Sequence, residues 1–275
     1  MIDDLLYTAP SEYAEQFFQL VSKQTKMSAE QLCQMSLELD AYYKNNSKIT
    51  PLVKQARQLE ADWYTALRQK KQHDYSVYDS DKYFADLWAC WASYSRTYLK
   101  LISRPNARCG NKSLVELLGP VKQVVDLGAG LCLSTVALTK IFPKAQVTAT
   151  NLKNTKQWPV CVEMQRYAKF DLKENADSYE GTADVIFASE YFEHFPQPLE
   201  HADWVLNKFK PKVLICANTF NSDSIGHFDS YEIQGKNYTG SMMNRIWGRY
   251  MKSKGYKQPF RYYNNRPQVW MRYAD

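Results

Sequence analysis

Val124-Val125-Asp126-Leu127-Gly128-Ala129-Gly130 is the stretch on which the reading of this chain turns. An apolar run ends in an acidic residue, two glycines follow one residue apart, and a helical pattern begins at Ser134. Glycine lets the main chain turn tightly after a strand and lets a ligand approach backbone that a Cβ would shield. A third glycine at Leu133 would complete the dinucleotide fingerprint, and its absence argues against a nicotinamide site.

Working outward, short apolar runs alternate with amphipathic helical stretches from Val121 onward, the pattern of a parallel α/β sheet. Strands are expected at Val121–Leu127, Gln146–Thr150, Lys169–Leu172, Ala183–Ser189 and Lys212–Asn218. Helices are expected at Ser134–Ile141, Gln157–Ala168, Leu199–Lys208 and Ser241–Lys254. Two last runs, Tyr256–Tyr263 and Gln268–Tyr273, flank Asn264-Asn265-Arg266-Pro267 and read as an antiparallel hairpin.

The first hundred residues read as helices instead. Ser28 with Gln31 forms a capping box, and Thr50-Pro51 is an N-cap followed by proline at the first helical position. Ser80 opens a third long helix that stops before Ser103-Arg104-Pro105, where proline forbids continuation. The loop from Arg104 to Ser113 is the best boundary, giving a helical region over 1–108 and an α/β domain over 109–275.

Composition narrows the class. With 45% hydrophobic and 23% charged residues the chain is globular, and no apolar window reaches the roughly 18 residues a membrane span needs. The acidic start MIDDLLYTAPSEY lacks the regions of a signal peptide, so a cytoplasmic address is expected. The six cysteines are scattered, with no CxxC and no nearby histidine, so neither a zinc site, another metal centre nor a disulfide framework is expected. Between Lys236 and Arg272 nine basic residues interleave with aromatics such as Trp247, Tyr250, Tyr256 and Trp270. Segment 236–273 therefore admits two readings: a nucleic-acid surface, or a hairpin whose aromatics are core and whose charges are its wet face.

The DLGAG turn after an apolar strand, with five β/α units and a closing hairpin, resembles the class I (Rossmann-like) S-adenosylmethionine-dependent methyltransferases. The resemblance implies a sheet of five parallel β/α units plus a C-terminal antiparallel hairpin, with S-adenosyl-L-methionine as cofactor. It implies cofactor contacts from Asp126, Gly128, Ala129 and Gly130, from Asn151 at the end of the second strand, and from Asp171 and Leu172 in the third. Asn151 stands where the family has an acidic residue for the ribose hydroxyls; Cys132 stands where it has a third glycine. The fourth strand runs into Ser189-Glu190-Tyr191-Phe192-Glu193-His194, similar to the family's S/D-x-x-x-E-H signature. That likeness puts Ser189 beside the cofactor and makes Glu190 and His194 the candidate acid–base residues. Helices ahead of the first strand often form a lid in this family, and the tyrosine-rich run Tyr75–Phe84 suits one.

Chemistry on bases is partly excluded. No Asn/Asp-Pro-Pro-aromatic tetrad follows the fourth strand to hold a flipped base, and no Pro-Cys supplies a thiolate there. The expectation is methyl transfer to an oxygen or nitrogen of a nucleic acid, a nucleotide or a small molecule. The alternatives are an inactive cofactor-binding or nucleic-acid-binding module that kept the fold, or transfer of another group from the sulfonium. Gly226-His227-Phe228-Asp229, past the fifth strand, is a candidate acceptor loop.

Overall fold

A computed structural model describes residues 4–45, 48–69, 75–258 and 267–272. The glycine turn lies where the sequence puts it, between strand β1 (Gln123–Asp126) and a helix over Leu133–Ile141. The remaining strands are β2 (Gln146–Thr150), β3 (Asp171–Lys173), β4 (Val185–Ser189), β5 (Val213–Ala217), β6 (Ser230–Ile233), β7 (Lys236–Thr239), β8 (Tyr256–Lys257) and β9 (Gln268–Arg272). Seven of them form one sheet in the order β3-β2-β1-β4-β5-β9-β8. The first five run parallel, and β9 enters antiparallel to both β5 and β8. The hairpin expectation holds for these strands, while Asn264–Arg266 of its turn and Pro259–Tyr263 and Tyr273 of its arms lie outside the described residues.

A parallel sheet must be covered on both faces, and the alternation of Val124 and Val125 shows how. Val124 joins Val136, Phe187, Phe17 and Trp88 in one core layer, and Val125 joins Ile186, Leu214, Trp247 and Trp270 in the other. Each such fully buried side chain is worth about 1.5–3 kcal/mol of transfer free energy.

The N-terminal helices are α1 (Pro10–Val21), α2 (Ala29–Asn45), α3 (Pro51–Arg68), α4 (Asp81–Cys90) and α5 (Arg96–Ser103). Their caps follow the sequence: Ser28 and Gln31 bond reciprocally, and Thr50 Oγ1 accepts from the Val53 amide at 3.2 Å. The single long helix expected after Ser80 is instead α4 and α5 joined by a π-helical turn over Trp91–Ser95. The helices share a core with the sheet without a break: Tyr13, Phe17, Trp88 and Leu99 belong to the same cluster as Val124 and Val147.

After the short α6 (Leu114–Leu118), helices α7 (Leu133–Ile141), α8 (Gln157–Met164), α9 (Pro198–Phe209) and α10 (Gly240–Ser253) complete the described α-helices. The β6–β7 hairpin is an element the sequence reading missed. Its turn residues, Gln234 at φ 50° and Gly235 at φ 74°, have the backbone of a tight hairpin connection.

Candidate functional site

Sheet order reverses between β1 and β4, and α/β sheets leave a crevice at that point, beyond the strands' C-terminal ends. A cavity of about 590 Å³ lies there, in the size range of small-molecule sites. Its walls come chiefly from the glycine turn, the end of β2, the segment after β4, and α4 with the tyrosine-rich turn before it, with further residues from α9 and the loops after β3 and β5.

The glycine turn is rigidly held. The Ser134 and Thr135 hydroxyls donate to one oxygen of Asp126 at 2.7 and 2.6 Å, tying the strand end to the start of α7. Burial pushes the Asp126 carboxyl up to about 6, and those two hydrogen bonds oppose the rise. The Ala129 amide donates to the Thr150 carbonyl at 3.0 Å. Gly128 has φ +63°, and a Cβ there would stand 2.7 Å from the Tyr191 ring. Both the backbone and the space demand glycine. Cys132, at the family's third glycine position, holds φ 58° with its side chain fully buried. It keeps the left-handed bend without glycine's freedom.

Asn151 belongs to the same assembly. Its amide nitrogen donates to the Gly130 carbonyl at 2.7 Å, and its oxygen accepts from the Leu152 amide at 2.9 Å. That oxygen keeps a second lone pair, so the position can still accept one hydroxyl hydrogen bond.

Asp171 and Leu172 do not join the site. Asp171 is the first residue of β3, opposite Thr148 of β2, and its carboxylate accepts from Gln146 at the far end of that strand. The strand continues to Lys173, so its C-terminal end falls later than the sequence pattern suggested. Asn175, Ala176 and Asp177 line the cavity in place of that pair.

Ser189, Glu190 and His194 do come together on the cavity wall. Ser189 Oγ is 2.9 Å from Ser95 Oγ, a contact between the sheet and the N-terminal helices. Glu190 sits at φ 51°, an uncommon backbone for a non-glycine residue. Its Oε2 accepts from the Thr219 hydroxyl at 2.8 Å, while Oε1 is buried with no hydrogen-bond partner. His194 Nδ1 lies 3.0 Å from Tyr78 Oη, and enclosure pushes its imidazole down to about 3. It is a neutral, weakly basic ring. A Cβ on Gly226, which has φ +81°, would fall 1.9 Å from Tyr78 Oη and 2.6 Å from His194 Nδ1. Bare backbone is what lets the loop pass between Tyr78 and His194.

The tyrosine-rich run expected as a lid reaches the wall, joined by Asp86, which was not singled out from sequence. Tyr78, Tyr83 and Asp86 face the cavity from the N-terminal side. Asp86 accepts from the Tyr43 hydroxyl, and burial pushes it up to about 6. His227, within the expected acceptor loop, also reaches the cavity. The aromatics of the basic segment behave differently. Trp247, Tyr256 and Trp270 are buried, while Lys236, Arg245, Arg249 and Lys252 are exposed. Core aromatics offer no faces for bases to stack on.

Residues 94–265 match a family described as a methyltransferase domain. No curated protein matches the sequence. Among solved structures, an O-methyltransferase family protein from Burkholderia thailandensis aligns with a TM-score of 0.50 at 13% identity, over 80% of this chain and 71% of that one. The plantazolicin methyltransferase BpumL, solved with a substrate analog and SAH, aligns with a TM-score of 0.41 at 13% identity. That match covers 60% of this chain and 61% of BpumL, under two thirds of its length. The first of these is a likeness of fold.

Proposed function

Because the chain belongs to the methyltransferase-domain family and is an S-adenosylmethionine-dependent methyltransferase, we propose that it methylates an oxygen or nitrogen of a small molecule enclosed in the cavity above Ser189. One observation carries this reading: a single cavity joins the glycine turn to Ser189, Glu190 and His194 under a roof of tyrosines.

The residues fit the cofactor. The main chain of Gly128, Ala129 and Gly130 would hold its methionine end, Asn151 a ribose hydroxyl, and the Asn175–Asp177 loop the adenine side. The carboxylates of Glu190 and Asp86 and the rings of Tyr78 and Tyr83 give the wall an electronegative character that suits a sulfonium. When bound, S-adenosylmethionine supplies an activated methyl group with its leaving group already in place. The protein aligns the acceptor, excludes water and takes up a proton.

For the proton, the Glu190 carboxylate is better suited than His194. Glu190 has a buried oxygen with no donor, whereas the His194 ring is already held by Tyr78 and by the main chain of Gly226 and Glu190. The region over residues 1–108 acts as the lid, through Tyr75, Tyr78, Tyr83 and Ser95. A small acceptor is favoured over nucleic acid because Trp247, Tyr256 and Trp270 of segment 236–273 pack inward.

Incubating the chain with methyl-labelled S-adenosylmethionine and fractionated small metabolites, then separately with RNA and DNA, tests this. Label in a small-molecule fraction is the expected result. Label only in nucleic acid, or none with S-adenosylhomocysteine still bound, would overturn it in favour of the polymer or the inactive-module reading.

A further inference from the structure

We propose that Glu190, Glu193 and His227 form a binding site for a divalent metal ion of the manganese class at the floor of the acceptor cavity. One ligand atom from each of the three lies within 4.8 Å of the others. They arrive from two segments, the turn after β4 and the loop between β5 and β6, so the arrangement is a product of the fold.

Two independent features point to a ligand there. Thr219 pins one oxygen of each carboxylate, and the other oxygen of each has no N–H or O–H donor, only the neighbouring carboxyl group. Thr219 donates its amide to Glu193 Oε1 at 2.5 Å and its hydroxyl to Glu190 Oε2 at 2.8 Å. Glu190 Oε1 and Glu193 Oε2 are buried and unpartnered, and Glu193 is 0% exposed. None of the ion pairs among the described residues includes either glutamate. Adjacent carboxylates without a cation are costly where they are shielded from water, and here Glu193 is fully buried and Glu190 half-buried with its free oxygen enclosed.

The histidine provides the second feature. His227 Nδ1 lies 2.9 Å from the Ser222 carbonyl, which can only accept. In the neutral ring Nδ1 therefore carries the proton and the lone pair sits on Nε2. A ring whose other nitrogen is fixed by a backbone carbonyl is the arrangement by which proteins orient metal-binding imidazoles. His194 stands beside it, ring centroids 4.9 Å apart, but is turned to Tyr78 and is left out of the donor set.

Two carboxylate oxygens and one imidazole nitrogen suit manganese, with zinc or magnesium as weaker matches in geometry or donor type. Glu190 and His227 line the cavity, so open coordination positions would face the acceptor; with Glu190 Oε1 then a ligand, a bound hydroxyl would lose its proton to water and not to that carboxylate. The site stands independently of which acceptor is used.

The test uses the full chain, stripped with chelator and free of S-adenosylmethionine, titrated with Mn²⁺ while the free-ion EPR signal is followed. We expect about one Mn²⁺ per chain bound below about 1 mM. Glu193→Gln and His227→Gln should each weaken binding at least about tenfold, with S-adenosylhomocysteine affinity and circular dichroism unchanged. Spin-echo modulation of Mn²⁺ on the wild-type chain, which needs no variant, should show one coordinated imidazole nitrogen. No binding in that range, no nitrogen coupling, or wild-type affinity in both variants would each overturn the site.

Discussion

The turns that follow β1 and β4 face the same cavity and are built on opposite plans. In the first, polar groups find partners inside the protein: Asp126 has two hydroxyls, the Ala129 amide has Thr150, and the Gly130 carbonyl has Asn151. In the second, Glu190 is held in an uncommon backbone conformation, and two carboxylate oxygens are buried without donors. Buried polar groups are normally satisfied, and the exceptions cluster where chemistry happens. The contrast teaches that the first turn works by shape and the second by unspent hydrogen-bonding and charge. Damage to the first should appear in cofactor affinity, and damage to the second in turnover.

The largest effect is expected at Glu190. Glu190→Gln keeps the shape and removes the charge, so methyl transfer should fall about 10²–10⁴-fold. Binding of S-adenosylhomocysteine, measured by calorimetry, should change less than about threefold, a few tenths of a kcal/mol. If affinity fell as far as turnover, the division of labour between the turns would be lost. Next comes Gly128→Val. It forces a β-branched residue to φ +63° and places its Cβ where the Tyr191 ring lies, so cofactor affinity should drop about 10–100-fold. At saturating cofactor most of the turnover should return.

A third measurement concerns the padding of the second turn. His201 stacks on Phe195, with centroids 3.6 Å apart, and its Nε2 lies 3.0 Å from Tyr191 Oη. Burial pushes the imidazole down from 6.5 to about 4. The unfolded chain therefore binds a proton at a pH where the folded chain does not, and stability falls as pH drops from about 6.5 towards 4. The change amounts to about 2–3 kcal/mol across that window. His201→Phe should flatten this part of the curve of melting temperature against pH. An unaltered slope would show that other groups govern it. The smallest effect is expected at Cys132. Relief of its left-handed backbone in Cys132→Gly, about 1 kcal/mol, roughly offsets the lost thiol burial and the added chain entropy. Cys132→Val should be destabilising by about 2 kcal/mol or more, because a β-branched residue tolerates that bend worst.

Much of the fold was legible because periodicity and punctuation agree there. The strand at Gln146–Thr150, the end of α5 before Pro105 and the caps at Ser28 and Thr50 were readable from local rules. The β6–β7 hairpin was passed over although Gln234-Gly235 carried the turn signal, because its strands are only four residues each. The phase of β3 was misjudged since Asp171 and its neighbours alternate weakly, and register is fixed only by pairing with β2. For the site, the glycine turn and Ser189-Glu190 could be read from one contiguous stretch. Tyr78 lies in the tyrosine-rich run that the sequence offers as a lid; Asp86 and Thr219 could not be read, because only the tertiary fold brings Asp86 to the wall and Thr219 to Glu190. The unpartnered oxygens of Glu190 and Glu193 are likewise a property of three dimensions, and no spacing rule for cysteine and histidine would flag them.

The wide turn at Trp91–Ser95 has a consequence for how the molecule could have been assembled. An α-helix rotates about 100° per residue, and a π-helical turn takes in one residue more than the regular helix around it. Deleting a single residue from Trp91–Ser95 would let α4 and α5 run as one continuous rod, but would swing one half about 100° against the other. Either Tyr83 and Asp86 would leave the roof, or Ser95 would leave Ser189 and Leu99 its core. The extra residue therefore acts as a phase shifter, letting one helical strut present its first half to the ligand and its second half to the sheet.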